Sequence, residues 1–116
     1  MLANIKISYL YRDASNYKQF ATVVLANPSH AIPDEIYASF RIAFRALQLH
    51  PDVIHFKPAL LEWDDLFFPN HDPEGSDDFD LHELEVITAT NDIPSTPQTV
   101  ANLADTLARL ARRQQP

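Results

Sequence analysis

Glycine is almost absent from this chain. Gly75 is the single glycine among 116 residues, where an average usage of about 7% would supply roughly eight. Phosphate-binding P-loops, dinucleotide-binding GxGxxG turns and the GxSxG nucleophile elbow each need several glycines, because the backbone there approaches a ligand closely or takes a positive φ. The sequence therefore excludes these three kinds of nucleotide or hydrolase site.

Cysteine is absent altogether, which excludes thiolate nucleophiles, disulfides, cysteine-ligated zinc and iron–sulfur clusters. Long apolar runs are missing as well. The first twelve residues show neither a basic start nor an apolar signal segment, and no stretch approaches the roughly 20 apolar residues of a membrane span. We therefore expect a cytoplasmic protein with no membrane partner, and no motif indicates a cofactor.

Lysine and arginine are missing from residues 58 to 108, a segment that carries twelve acidic side chains. Residues 1 to 57 carry six basic and four acidic ones, and the net charge of the chain is −7. Because binding to phosphate backbones relies on lysine and arginine, this acidic half disfavours nucleic acid, and we expect none as a partner. It favours a basic protein partner, a cation, or solubility alone.

Hydrophobic periodicity predicts a β-hairpin at the start of the chain. Residues 4 to 12 alternate between apolar and polar, and residues 20 to 26 are rich in β-branched and aromatic types. A polar stretch separates them, as expected of an antiparallel pair. Further short strands are predicted near residues 53 to 56 and 66 to 68, and a strand with an acidic edge at residues 83 to 88 is predicted near a sheet edge.

Two amphipathic helices are predicted, at residues 33 to 49 and 97 to 113. The first begins with proline and two acids, which suit a helix N-terminus, and the second has Thr96 as N-cap and Pro97 at its first position. The predicted core is Ile5, Ile7, Val23, Leu25, Ile36, Phe40, Phe44, Leu47, Val86, Leu103 and Leu107.

These elements predict one α+β domain over residues 1 to 116. Its sheet is mainly antiparallel with three or four strands, and two principal helices pack on it in the order β-β-α-(β)-β-α. An acidic exposed loop at residues 69 to 80 and the C-terminal helix at residues 97 to 113 complete the organisation. The small residues of that helix allow close packing. The pattern is compatible with packing onto the sheet, onto the first helix or onto a second copy of the chain.

The opening of the chain carries a distinctive run of strand and loop residues. The segment from Ile5 to Lys18 reads IKISYLYRDASNYK, and Val23-Val24 and Asn27-Pro28 follow it. This run resembles the start of a family of small bacterial proteins of unknown function, whose members also show a later acidic strand with a His-Glu pair, as at residues 82 and 83 here. The resemblance implies no activity, cofactor or partner.

A cluster at the predicted hairpin end is the first candidate binding site. Aromatic, cationic and amide groups there could surround an anionic or planar ligand. The alternative is structural: Asp and Asn form the turn, the cations flank it in solvent, and the tyrosines pack across the strands. The candidates are Tyr11, Arg12, Asp13, Asn16, Tyr17 and Lys18.

Histidines and carboxylates between residues 71 and 83 form a second, weaker candidate. Histidine suits zinc and other transition metals, and carboxylates suit calcium or magnesium, but the spacing matches neither an HExxH helix nor an EF-hand loop. The metal candidates are His71, Asp78, Asp80 and His82.

Two hypotheses about function follow. The first is a non-catalytic cytosolic protein-interaction module, whose acidic half faces a basic partner or which assembles, as a homodimer for example, through its C-terminal helix. The second is a small metal-dependent hydrolytic enzyme that uses the cluster from His71 to Glu83.

Overall fold

The computed structural model describes residues 3–13, 17–67 and 81–113. The described part folds into a sheet with two α-helices. The elements in chain order are β1 (Asn4–Arg12), β2 (Lys18–Ala26), α1 (Pro33–Ala43), a 3₁₀ turn (Arg45–Leu47), β3 (Ile54–Phe56), a second 3₁₀ turn (Pro58–Leu61), β4 (His82–Thr90) and α2 (Val100–Arg113).

The four strands form one sheet in the order β2-β1-β4-β3, and all neighbours are antiparallel. β1 and β2 pair without interruption from Asn4 opposite Ala26 to Arg12 opposite Lys18, which confirms the predicted hairpin. The observed order of elements confirms the predicted α+β class, and the short β3 is the optional strand that was predicted between the first helix and the acidic strand.

Both helices pack on the same face of the sheet. Ile5, Ile7 and Leu25 from the sheet share one buried cluster with Phe40 of α1 and Leu107 of α2. The opposite face includes Phe20 and Val86, which are 58% and 40% exposed. Among the described residues, no helix is long and apolar enough to cross a membrane.

The prediction that Val86 belongs to the core is wrong, and a β-bulge explains why. Tyr9 pairs with Leu84 whereas Ser8 pairs with Val86, so Glu85 is an extra residue in β4. One inserted residue reverses the alternation of a strand beyond it. Ile87 is consequently buried in place of Val86.

The predicted first helix is too long at its C-terminal end. α1 stops at Ala43, and a 3₁₀ turn follows. Gln48 explains the early end, because its side-chain amide donates to the carbonyls of Phe44 and His55 at 2.9 Å each and accepts the N–H of His55 at 3.0 Å. Gln48 thus connects the end of the helical segment to β3, a role that a continuing α-helix would not allow.

The predicted start of the second helix is wrong by three residues. Thr96 is not its N-cap, because the Thr96 hydroxyl accepts the N–H of Gln98 in a local turn at 3.3 Å. α2 instead begins at Val100 with Thr99 as the capping residue. The Thr99 hydroxyl accepts the N–H of Asn102 at 3.2 Å, and the Asn102 amide oxygen accepts the N–H of Thr99 at 3.0 Å. This reciprocal pair is a capping box with asparagine at its third position.

Two other predictions concern strands on either side of the predicted acidic loop. Leu66 and Phe67 belong to no strand, and Phe68 lies outside the described residues, as does the predicted loop at residues 69 to 80. The predicted acidic strand is β4, which lies between β1 and β3. β3 pairs only with the first three residues of β4, from His82 to Leu84.

Candidate functional site

Two adjoining grooves lie beside the second 3₁₀ turn and share one carboxylate, Glu62. The first groove, about 450 Å³, runs along α2. The second, about 310 Å³, runs along β2. We call them the helix groove and the strand groove. The helix groove includes Glu62, Gln98, Asn102, Asp105, Thr106 and Arg109. The strand groove includes Tyr9, Thr22, Glu62, Trp63, Asp64 and Ser95.

Glu62 lies between the grooves because the chain turns sharply there. Its φ of 63° and ψ of 30° place it in the left-handed region, which is uncommon for a residue other than glycine. The N–H of Glu62 donates to the carbonyl of Ala59 at 3.1 Å, which ends the 3₁₀ turn. The turn leaves the Glu62 side chain exposed and buries Leu61 and Trp63 on either side of it.

A pair of hydrogen bonds through Gln98 fixes the segment between the two grooves. The indole N–H of Trp63 donates to Oε1 of Gln98 at 2.9 Å, and Nε2 of Gln98 donates to the carbonyl of Leu61 at 2.9 Å. Trp63 itself is buried and stacks on Tyr9 with ring centroids 5.6 Å apart. The loop before α2 is therefore tied to the 3₁₀ turn, and the groove walls are held by packed side chains.

Tyr9 connects the strand groove to the core. Its ring is buried, and its hydroxyl donates to the carbonyl of Asp64 at 2.8 Å. Burial raises the pKa of Tyr9 from 10.0 to about 12, and the nearby carboxylates of Asp64 and Asp65 add to the rise. Tyr9 thus remains a neutral donor at physiological pH and holds the Asp64 segment in place.

We expect Tyr9→Phe to lower the free energy of unfolding by about 1 kcal/mol at neutral pH, because one buried hydrogen bond is lost. The effect of pH has a defined sign. The Tyr9 hydroxyl has a higher pKa in the folded state than in the unfolded state. Its contribution to stability is therefore fully present below pH 10 and is lost as the pH rises through 10 towards 12. The variant should therefore lose less stability than the parent between pH 10 and 12.

Urea unfolding at a series of pH values measures this difference. Tyr17→Phe is the matched control, because the Tyr17 ring is 68% exposed. An equally steep alkaline loss of stability in Tyr9→Phe and the parent would contradict the assignment.

The two grooves are acidic and polar. Glu62, Asp64 and Asp105 are exposed carboxylates at their walls, and hydroxyl and amide groups lie between them. Arg109 lies at the helix groove, where its guanidinium donates to the hydroxyl of Thr106 at 3.1 Å. The described lining of the strand groove includes no lysine or arginine. This arrangement can accept hydrogen bonds from ammonium or guanidinium groups.

The structure places Arg12 opposite Lys18 and Asp13 beside Tyr17 at the hairpin end, but it buries Tyr11 away from them. Tyr11 is fully buried and packs edge-on against Phe67, with centroids 4.9 Å apart. Asp13 closes the hairpin, since its carboxylate accepts the N–H of Tyr17 at 2.8 Å. Tyr17 and Lys18 are exposed, and Asn16 lies outside the described residues. A binding role for this hairpin end stays a prediction.

Arg12, another of those candidates, forms an ion pair across the sheet. Its Nε donates to Glu83 Oε2 at 2.8 Å, and its Nη2 lies 3.3 Å from Oε1 of the same carboxylate. The hydrogen bond to Glu83 raises the pKa of the guanidinium above its usual value. Arg12 therefore joins β1 to β4, and any anion that bound there would compete with Glu83.

Of the four predicted metal ligands, His71, Asp78 and Asp80 lie outside the described residues. His82 is fully buried, and its Nε2 accepts the backbone N–H of Leu66 at 2.9 Å. Within residues 3–13, 17–67 and 81–113, no three histidine or acidic side chains are arranged to hold a metal ion. The metal site stays a prediction.

Sequence reasoning identified the acidic half but not the grooves. Glu62 and Asp105 are 43 positions apart in the sequence, and only the packing of α2 beside the 3₁₀ turn brings them to one groove. The signal that could have indicated the acidic grooves is the absence of lysine and arginine between positions 58 and 108. Any groove residue from that segment is acidic or neutral. No family model, curated protein or solved structure matches this chain.

Proposed function

We propose that this protein is a non-catalytic protein-interaction module that binds a basic partner through the helix groove and the strand groove. The observation that carries the proposal is the presence of Glu62, Asp64 and Asp105 at the walls of two adjoining grooves. Carboxylates at a rim steer a basic partner and select it by charge.

The way α2 packs favours the grooves over the C-terminal helix as the interaction surface. Val100, Leu103 and Leu107 of α2 are buried against the rest of the domain. The apolar stripe of the helix is therefore used within the fold, whereas its exposed side contributes Asn102 and Asp105 to the helix groove. Asn102 and Asp105 on this side can accept hydrogen bonds from a basic partner, whereas a second copy of α2 would meet a helix whose apolar stripe is already buried within its own domain.

A comparison at matched net charge tests this proposal. The variant Glu62→Gln/Asp64→Asn/Asp105→Asn neutralises the grooves, and Asp34→Asn/Asp52→Asn/Glu85→Gln neutralises three exposed acids outside the grooves. Both variants raise the net charge by three. We expect the groove variant to bind a pentalysine peptide about fivefold to tenfold more weakly than the parent, because exposed ion pairs contribute about 0.2 to 1 kcal/mol each.

Isothermal titration calorimetry at low and physiological ionic strength measures the affinities, since salt screens exposed charges. The control variant should remain close to the parent. Equal weakening in both variants would show that pentalysine responds to net charge alone, and the groove proposal would then be wrong.

A further inference from the structure

The outer edge of β2 is closed by another segment at one position. The N–H of Val24 donates to the hydroxyl of Ser95 at 2.9 Å, and the N–H of Ser95 donates to the carbonyl of Val24 at 2.9 Å. Val24 therefore points both backbone groups away from β1. Further along, Ala26 lies beside Thr99 in a parallel bridge. The segment from Ser95 to Thr99 thus covers the C-terminal end of this edge.

The same edge is open at Phe20 and Thr22. Backbone groups of an antiparallel strand alternate between its two sides with a period of two residues, so these two residues point outward as Val24 does. Within the three described ranges of the chain, nothing bonds to their outward N–H and C=O groups. Both residues are exposed.

Other edges of the sheet have side chains in place of a neighbouring strand. The outward N–H and C=O of His55 in β3 both bond to the side-chain amide of Gln48. In β4, the N–H of Ile87 donates to the hydroxyl of Tyr37 at 2.7 Å. Natural proteins protect exposed edges in this manner because free backbone groups recruit other strands. The uncovered stretch at Phe20 and Thr22 is therefore a departure from how this fold treats its other edges.

This open stretch borders the strand groove. Ala21, Thr22 and Val23 form one wall, and Glu62 and Asp64 contribute carboxylates to the lining. The groove volume is about 310 Å³. A strand rises about 3.3 Å per residue, so the stretch from Phe20 to Thr22 offers roughly 7 Å of edge, enough to pair with about three residues of another chain.

We propose that an extended, basic segment of a partner protein adds to the sheet along Phe20 and Thr22 and places lysine or arginine side chains beside Glu62 and Asp64. This inference rests on the proposed function and specifies the form in which the partner binds. Backbone hydrogen bonds supply the affinity in such strand addition, and the side-chain environment supplies the selectivity.

Charge complementarity identifies the occupant as basic. The lining of the strand groove contains two carboxylates and the hydroxyls of Thr22, Ser95 and Thr96, and residues 58 to 108 contain no lysine or arginine. Lys18 lies at the hairpin end of the same edge, so the basic side chains of the partner belong at the Thr22 end. A segment with acidic side chains would face repulsion from Glu62 and Asp64.

The test uses the peptide Lys-Val-Lys-Val-Lys with blocked ends and two versions of it, N-methylated either at both valines or at all three lysines. All three peptides carry the same charge. Backbone N–H groups of a strand point alternately to its two sides. One methylated peptide therefore lacks the N–H donors that face β2, and the other lacks only N–H groups that face away from it. We expect one methylated peptide to bind about tenfold or more weakly than the parent peptide and the other to bind comparably.

Variants of the protein provide the second arm. Thr22→Pro removes the outward N–H at an edge position where proline is tolerated, whereas Thr22→Val keeps it. Both variants lose the Thr22 hydroxyl and differ in the backbone N–H, so we expect Thr22→Pro to weaken the unmethylated peptide about tenfold more than Thr22→Val does. Circular dichroism and melting show whether Thr22→Pro is folded. If it is not, the methylated peptides decide, since they leave the protein unaltered.

The outcomes separate the two proposals. Equal binding of all three peptides, with weakening only in the groove-neutralised variant, would overturn strand addition and leave the acidic grooves as the interaction surface. Binding that neither groove neutralisation nor Thr22→Pro alters would overturn both proposals. A concentration-dependent dimer that Thr22→Pro abolishes, without peptide binding, would make a second copy of the chain the occupant and overturn the proposal of a basic segment.

Discussion

Phe40→Ala is expected to lower the free energy of unfolding by about 3 to 5 kcal/mol. Phe40 is fully buried and packs among the aromatic side chains of the core. Its ring centroid is 5.5 Å from that of Phe56, 6.1 Å from that of Phe44 and 6.2 Å from that of Trp63. Truncation removes the transfer free energy of the ring and leaves a cavity that these neighbours fill only in part.

The size of this effect makes it decisive, since domains are stable by only about 5 to 15 kcal/mol. Urea unfolding followed by circular dichroism measures it. Phe20→Ala is the matched control: the Phe20 ring is 58% exposed, and we expect a change of about 0.5 kcal/mol. A loss below about 1 kcal/mol in Phe40→Ala would show that α1 presents a different face to the sheet.

His82→Ala is expected to cost about 3 kcal/mol. The imidazole is fully buried between aromatic rings, with its centroid 5.1 Å from that of Tyr11 and 5.3 Å from that of Phe67. Its removal creates a cavity and also deprives the N–H of Leu66 of its acceptor at 2.9 Å. Both consequences destabilise the fold, because a buried donor without a partner costs about 1 to 3 kcal/mol by itself.

His82→Gln should lose less stability, because its side-chain oxygen can replace Nε2 as an acceptor, and His50→Ala should change little, because His50 is exposed. Unfolding is measured with a chelator present, so that the loss does not depend on metal. An unchanged free energy of unfolding in His82→Ala would contradict a structural role for the imidazole.

The metal-dependent alternative is tested by the melting temperature of the parent and of His71→Ala with added metal ions. We expect zinc, manganese and magnesium to leave the melting temperature of the parent and of His71→Ala unchanged. A metal bound only to the native state would stabilise it by about 2.7 kcal/mol at a hundredfold excess over Kd, a shift of several degrees. Such a shift in the parent, lost in His71→Ala, would favour the enzyme hypothesis.

Local patterns were sufficient to predict the hairpin and the buried side of α1. The alternation of Ile5, Ile7 and Tyr9 and the stripe of Ile36 and Phe40 depend on periods that neighbouring residues alone establish. All five side chains are buried as those patterns indicate. The acidic character of the grooves was also foreseeable in part, because it follows from composition between residues 58 and 108.

Predictions failed where a distant residue competed with the local pattern. Val86 faces outward because the bulge at Glu85 arises from the pairing of β4 with β1. α1 ends early at a segment where Gln48 bonds to both Phe44 and His55. In each case the deciding hydrogen bonds join different elements, so a pattern within one element contains no record of them.

The amino-acid sequence by itself determined the α+β class, the hairpin, the buried faces of its periodic elements and the one-sided distribution of charge, because each depends on residue types at short spacing. Only the tertiary structure decided that Glu62 and Asp105 share a groove, that His82 lies in the core and that, among the residues the structure describes, none bonds to the outer edge of β2 at Thr22. These features depend on which backbone and side-chain groups meet across long stretches of chain. Local propensity does not predict such long-range contacts, since they follow from the packing of whole elements.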